Sequence, residues 1–194
     1  RPAVGQGRAA FPQARVVALA ECGTHAIFAA TIGTYGESET SLAEPLLLEQ
    51  VGPGMLLLAD QVFFSYARWR QVADTGADLL WRVRTDDNGP KPTLVRELPD
   101  GSWLARLHRR GQAQAREEPM LARVIDYSID DGRHTNHDRA PATYRLFTTI
   151  LDPEQAPAVD LAAAYAQRWE IENTFDELKT HQRGPRTVLR SKSP

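Results

Sequence analysis

The chain has 194 residues, 42% of them hydrophobic and 25% charged, with a formal net charge of -2. That composition excludes collagen-like, fibrous and disordered classes and sets the scale at one domain or slightly more. No apolar run approaches the ~20 residues of a membrane-spanning helix, nothing near Arg1 resembles a signal peptide, and the weakly acidic balance leaves only local basic patches for a polyanionic partner.

The opening stretch (Arg1, Pro2, Gly5, Gly7, Pro12) is rich in Pro and Gly and begins without methionine, as expected of a chain that is processed or cut from something longer. Arg15 to Ala20 and Ala26 to Ile32 are apolar, β-branched runs separated by Cys22-Gly23-Thr24-His25, which predicts an antiparallel hairpin. Ser41 to Gln50 carries Leu42, Leu46 and Leu47 at helical spacing and stops before Gly52-Pro53-Gly54. Met55 to Ala59 is a short unbroken apolar run closed by Asp60, the pattern of a strand buried on both faces. Ser65 to Thr75 predicts a helix with Tyr66, Trp69 and Val72 on one side and Gly76 as its stop. Asp78 to Arg84 is a further strand.

Residues 85–150 change pattern to short strands and turns, read as a β-rich insertion: Leu94 to Leu98, a Pro99-Asp100-Gly101 turn, Trp103 to Leu107, Leu121 to Ile129 and Tyr144 to Ile150. Its loops, Arg109 to Pro119 and Asp130 to Pro141, are polar. Pro153 and Pro157 then precede a helix predicted from about Val159 to Thr180, with Asp160 as a candidate cap. Three parts result: residues 1–84, the insertion 85–150, and residues 151–194.

Familiar catalytic devices are missing from the sequence: no Gly-x4-Gly-Lys loop, no Gly-x-Gly-x2-Gly and no Gly-x-Ser-x-Gly elbow. Cys22 is the one cysteine, so no internal disulfide forms, as in a reducing cytoplasm. Cys22-x2-His25 and His134-x2-His137 have zinc-ligand spacing, but both pairs lie in turn-like segments far apart in sequence and read better as solvated loop residues.

The last helix is more informative. At about 100° per residue, Tyr165, Arg168, Glu172 and Lys179 fall within a sector roughly 60° wide, while Ala164, Ile171, Phe175 and Leu178 form an apolar face beside it. From geometry alone this stripe reads as an ordinary exposed helix edge with Arg168 and Glu172 as an i,i+4 ion pair, and Asp60 as a cap or strand terminus. Taken together, a strand-end Asp and a distant helical Glu are what a carboxylate-held Mg2+ site requires.

Tyr165-x2-Arg168-x3-Glu172-x6-Lys179 resembles the Tyr-Arg-Glu-Lys signature of the DDE transposases of the insertion-sequence-four family at all four positions and all three spacings. The Arg15 to His25 segment, the Gly54 to Asp60 strand and the aromatic-rich Phe63 to Trp69 extend the resemblance over nearly the whole chain. It implies an α/β, ribonuclease-H-like mixed sheet with flanking helices and a β-rich insertion between the second and third catalytic acids. It assigns Asp60 as the second acid and Glu172 as the third, both metal ligands in a two-metal Mg2+ site for phosphodiester cleavage and strand transfer. It also assigns Tyr165, Arg168 and Lys179 to the DNA of the transposon ends, with the basic tail Arg183, Arg186, Arg190 and Lys192 alongside.

The family has Arg-Gly after the second acid, where this chain has Gln61-Val62. No acid occurs between Arg1 and Ala20, where the segment carrying the first catalytic Asp would have to begin. The expectation is therefore a catalytic-domain fragment lacking its first strand, with an open edge on the Asp60 strand and no activity alone. The alternative expectation is a non-catalytic DNA-binding remnant or pseudogene product. Partners expected are double-stranded DNA (transposon ends and target) and, at full length, a second copy in a homodimer. No membrane is expected, and the location is the bacterial cytoplasm, at the nucleoid.

Overall fold

The computed structural model describes residues 13–109, 118–129 and 142–169. Two β-strands, β1 (Ala14–Ala20) and β2 (Ile27–Thr34), form the expected hairpin as a separate antiparallel sheet. Its turn is held by the Glu21 carboxylate, which accepts from the Gly23 amide at 2.9 Å and the Thr24 amide at 2.5 Å. Helix α1 (Glu39–Glu49) follows, capped by the Ser38 hydroxyl on the Ser41 amide at 3.1 Å. Such a cap satisfies one of the amides that a helix start leaves unpaired.

The other strands make one six-stranded sheet in the order β3-β4-β8-β7-β6-β5. They are β3 (Leu56–Ala59), β4 (Asp78–Val83), β5 (Thr93–Glu97), β6 (Trp103–Leu107), β7 (Met120–Ile129) and β8 (Ala142–Thr148). Only the β3–β4 pair is parallel, and helix α2 (Tyr66–Ala73) provides its crossover. The remaining neighbours pair antiparallel, and β4 joins β8 with Leu80 opposite Thr148 and Arg82 opposite Leu146. The predicted β-rich segment thus continues the sheet of β3 and β4. This mixed α/β architecture is the ribonuclease-H-like class that the sequence leads one to expect.

Strand alternation sorts the sheet's side chains onto two faces. Leu79, Trp81, Val83, Val124 and Phe147 pack with Trp69 and Val72 of α2 and Leu46 and Leu47 of α1. Trp69 meets Trp81 edge to face at 5.3 Å between ring centroids, a favoured aromatic geometry. On the opposite face Leu80, Ile125 and Leu146 pack against Ala158, Leu161 and Tyr165 of helix α3 (Ala158–Ala166). Each fully buried Leu or Phe here contributes about 1.5–3 kcal/mol relative to exposure.

Three expectations need correction. The Met55 to Ala59 strand is not buried on both faces: β3 is an edge strand, with Met55 and Leu56 exposed. The last helix is not capped by Asp160. Pro157 stands at the N-cap without a side-chain bond, and the Ala158 amide instead donates to Asp100 Oδ2 at 2.8 Å. Nor is it one uninterrupted α-helix, because a 3-10 turn over Gln167–Trp169 follows Ala166.

Asp100 belongs to a polar lock around the buried Arg123. The Arg123 guanidinium, with its side chain wholly buried, donates to Asp100, to the Ser102 hydroxyl at 2.8 Å and to the Ala156 carbonyl at 2.7 Å. One arginine therefore joins β7, the β5–β6 turn and the approach to α3. Paired in this way, its buried charge is compensated.

Candidate site at the end of β3

Asp60 directly follows β3 in extended backbone (φ -81°, ψ 165°) and caps a short 3-10 turn, Gln61–Phe63. The substitution of Gln61-Val62 for Arg-Gly is thus accommodated by a turn that needs no positive φ. Arg68 of α2 braces that turn by donating to the Phe63 carbonyl at 2.9 Å. Carboxylates at the carboxyl end of parallel strands lie where open α/β sheets place their ligands.

Alternation puts Asp60 on the face of Leu58, and Arg82 on the face of Leu80, both on the side covered by α3. Arg82 Nη1 lies 3.8 Å from Asp60 Oδ1, with both side chains about 30% exposed (28% and 32%). That separation is an ion pair but too long for a hydrogen bond. Asp60 Oδ1 is itself buried and accepts no hydrogen bond. A hard oxygen donor with unused lone pairs fits one ligand position of a Mg2+ ion. Among the described residues no three His, Cys, Asp or Glu side chains converge as a metal cluster.

Helix α3 crosses over this point. The Tyr165 hydroxyl donates to the Ala59 carbonyl oxygen at 3.3 Å, and its ring is 4% exposed. Burial pushes the Tyr165 hydroxyl well above the ordinary phenol range, the guanidinium of Arg168 pulls it down, and the Asp60 carboxylate raises it further. The hydroxyl thus keeps its proton and with it the hydrogen bond to Ala59. The helical wheel placed Tyr165 in the polar stripe; it lies instead among Leu80, Ile125, Leu146 and Leu161.

Arg168, half-buried in the 3-10 turn, lies 5.7 Å from the Tyr165 ring centroid and 5.0 Å from that of Trp169. Its Nε is buried without a hydrogen-bond partner. Asp60, Tyr165 and Arg168 are thus gathered at one end of the sheet. Glu172 and Lys179 lie outside the described residues, as do the basic tail and the His134-x2-His137 pair.

Sequence reasoning missed Arg82 and its support. The Arg82 guanidinium lies 4.5 Å over the Tyr144 ring of β8, and Tyr144 stacks on Tyr127 of β7 at 5.5 Å and 26°. The available signal was a lone cation in the apolar run Asp78–Val83, beside a strand that ends in an acid. Next to the site, a mainly apolar cleft of about 960 Å³ opens between β1, α1 and β3, lined among others by Val17, Leu19, Phe28 and Leu57.

The family profile of the Transposase DDE domain matches residues 4–193 of the chain. The chain is also 30% identical over 186 residues to "Transposase InsG for insertion sequence element IS4" of Escherichia coli (strain K12), a match over 96% of this chain and 40% of that protein. It therefore spans well under half the length of the curated relative.

Proposed function

The chain belongs to the DDE transposase family, and from that premise we propose that it forms part of a transposase catalytic domain, acting on DNA by metal-dependent phosphodiester cleavage and strand transfer. The observation that carries this reading is the Asp60 carboxylate at the end of β3, with a buried oxygen that lacks a hydrogen bond and two guanidinium groups on the same side. DDE transposases in general use divalent metal ions. Asp60 and Glu172 would hold Mg2+ here, which supplies Lewis acidity to a water or 3′-hydroxyl nucleophile and to the leaving oxygen.

The chain's own groups have separable tasks. Arg168 and Lys179 bind backbone phosphates of the transposon end as charge-assisted donors. Tyr165, with its hydroxyl committed to Ala59, serves that DNA by holding Arg168 and the end of β3 in place. The domain plan remains a core of residues 1–84 and 151–194 with residues 85–150 inserted, and a homodimer in the full-length protein, acting at the bacterial nucleoid. Asp60 and Glu172 take the places of the second and third family carboxylates, and we propose that the chain binds DNA through this site.

The test is an equilibrium binding titration of the chain with duplex DNA carrying the element's terminal inverted repeat. Binding that falls at least tenfold in Arg168→Ala and in Lys179→Ala supports the reading. No binding by the unmodified chain sinks it.

A further inference from the structure

Arg82 is the one described cation in contact with Asp60 that the family signature does not contain. Three features set it apart from an ordinary surface arginine. Its guanidinium is held at 4.5 Å over the Tyr144 ring, and that ring is itself fixed by stacking on Tyr127. It faces Asp60 at 3.8 Å without closing a hydrogen bond. Its guanidinium donates no hydrogen bond to any described residue, although it carries five N–H donors.

A guanidinium held over an aromatic ring by cation–π attraction uses none of its N–H donors in that contact, and their fork matches the oxygens of a phosphate. Arg82 faces Asp60, and both Arg82 and Arg168 act electrostatically on the Tyr165 hydroxyl beside it, so two guanidinium groups gather at this end of the sheet. Tyr127 is directly opposite Tyr144, and because Arg82 is opposite Leu146, Tyr144 two residues earlier on β8 is its diagonal neighbour on the same face. Resting on the DNA reading above, we infer that Arg82 is a further phosphate-binding residue, contacting the backbone of the strand presented to Asp60, and that Tyr144 is its positioning residue.

The experiment is a salt titration of binding between the full chain and a short fluorescent DNA duplex of mixed sequence. Each lost phosphate contact makes the slope of log K against log salt shallower by about 0.9. Arg82→Gln is expected to show that change, Arg82→Lys to keep most of the slope, Tyr144→Phe to match the parent and Tyr144→Leu to fall between. Thermal melting of each variant separates this from misfolding, which lowers the melting temperature without changing the slope per bound molecule. In an Asp60→Asn background Arg82→Gln must still flatten the slope; if the effect vanishes there, Arg82 is only the counter-ion of Asp60 and the inference is overturned. An unchanged slope in Arg82→Gln with a flattened one in Arg168→Ala overturns the Arg82 assignment alone, whereas a parent chain that binds no duplex overturns the DNA reading with it.

Discussion

The Tyr165 hydroxyl donates to the Ala59 carbonyl oxygen at 3.3 Å, tying α3 to the residue just before Asp60 across 106 positions of sequence. Ala59 is the last residue of β3, which among the described residues is an edge strand paired with β4 alone. An edge strand has unpaired backbone groups and opens more easily than a central one. The bond from α3 therefore secures the end of the strand on which the carboxylate depends.

Tyr165→Phe removes that bond, at a cost of about 1 kcal/mol. Tyr165→Ala also empties the ring's volume against Leu80, Ile125 and Leu146, for about 3–5 kcal/mol. Urea unfolding monitored by tryptophan fluorescence measures both. Equal losses in the two variants would show that the ring is not packed as described.

The lock around Arg123 is the most sensitive polar feature of the fold. Arg123→Ala takes the guanidinium away from the Ala156 carbonyl and from Asp100, which keeps its Ser102 and Ala158 donors, and an acceptor left unsatisfied costs about 1–3 kcal/mol. Arg123→Met, which fills the same space without charge, is expected to lose less. Equilibrium denaturation of the two variants decides this, and a loss under 1 kcal/mol for Arg123→Ala would refute the lock.

Acid should weaken the same region. Burial pushes the Asp100 carboxyl up, but the Ser102 hydroxyl, the Ala158 and Ser102 amides and the Arg123 guanidinium outweigh it and hold the group below the usual carboxylate range. A carboxyl depressed in the folded state adds stability above its unfolded pKa of about 4, and that contribution is lost as pH falls through the lower folded value. The melting temperature of the parent should therefore drop more steeply below pH 4 than that of Asp100→Asn. Parallel pH profiles would contradict the assignment.

Asp60→Asn removes the negative charge that Arg82 faces while preserving the shape of the side chain. Duplex DNA should bind the variant more tightly, by roughly two- to fivefold at low salt, since each exposed charge interaction is worth under about 1 kcal/mol. Manganese binding, read as broadening in electron paramagnetic resonance, should be lost. Retention of the manganese signal would remove Asp60 from the metal site.

Most of what was legible in the sequence is local. The hairpin, the Ser65 start of α2 and its Gly76 stop follow from β-branching, a capping hydroxyl and a glycine at φ 85°, and the position of Asp60 follows from an apolar run ended by an acid. The Tyr-Arg-Glu-Lys spacing identified the family because fixed spacing is a property of sequence. Which way Tyr165 points was not legible. A helical wheel treats the helix alone, and the wall of Leu80, Ile125 and Leu146 on the facing sheet draws the ring inward. Asp100 replaced Asp160 as the α3 cap because the free amide of Ala158 was reached first by a turn 58 residues away. Arg82 became Asp60's neighbour only when parallel register set Ala59 beside Trp81. Sequence alone determined the elements and the residue types able to do chemistry. Tertiary structure decided which of them meet, because strand register and helix docking place groups to within an ångström in ways that no spacing along the chain encodes.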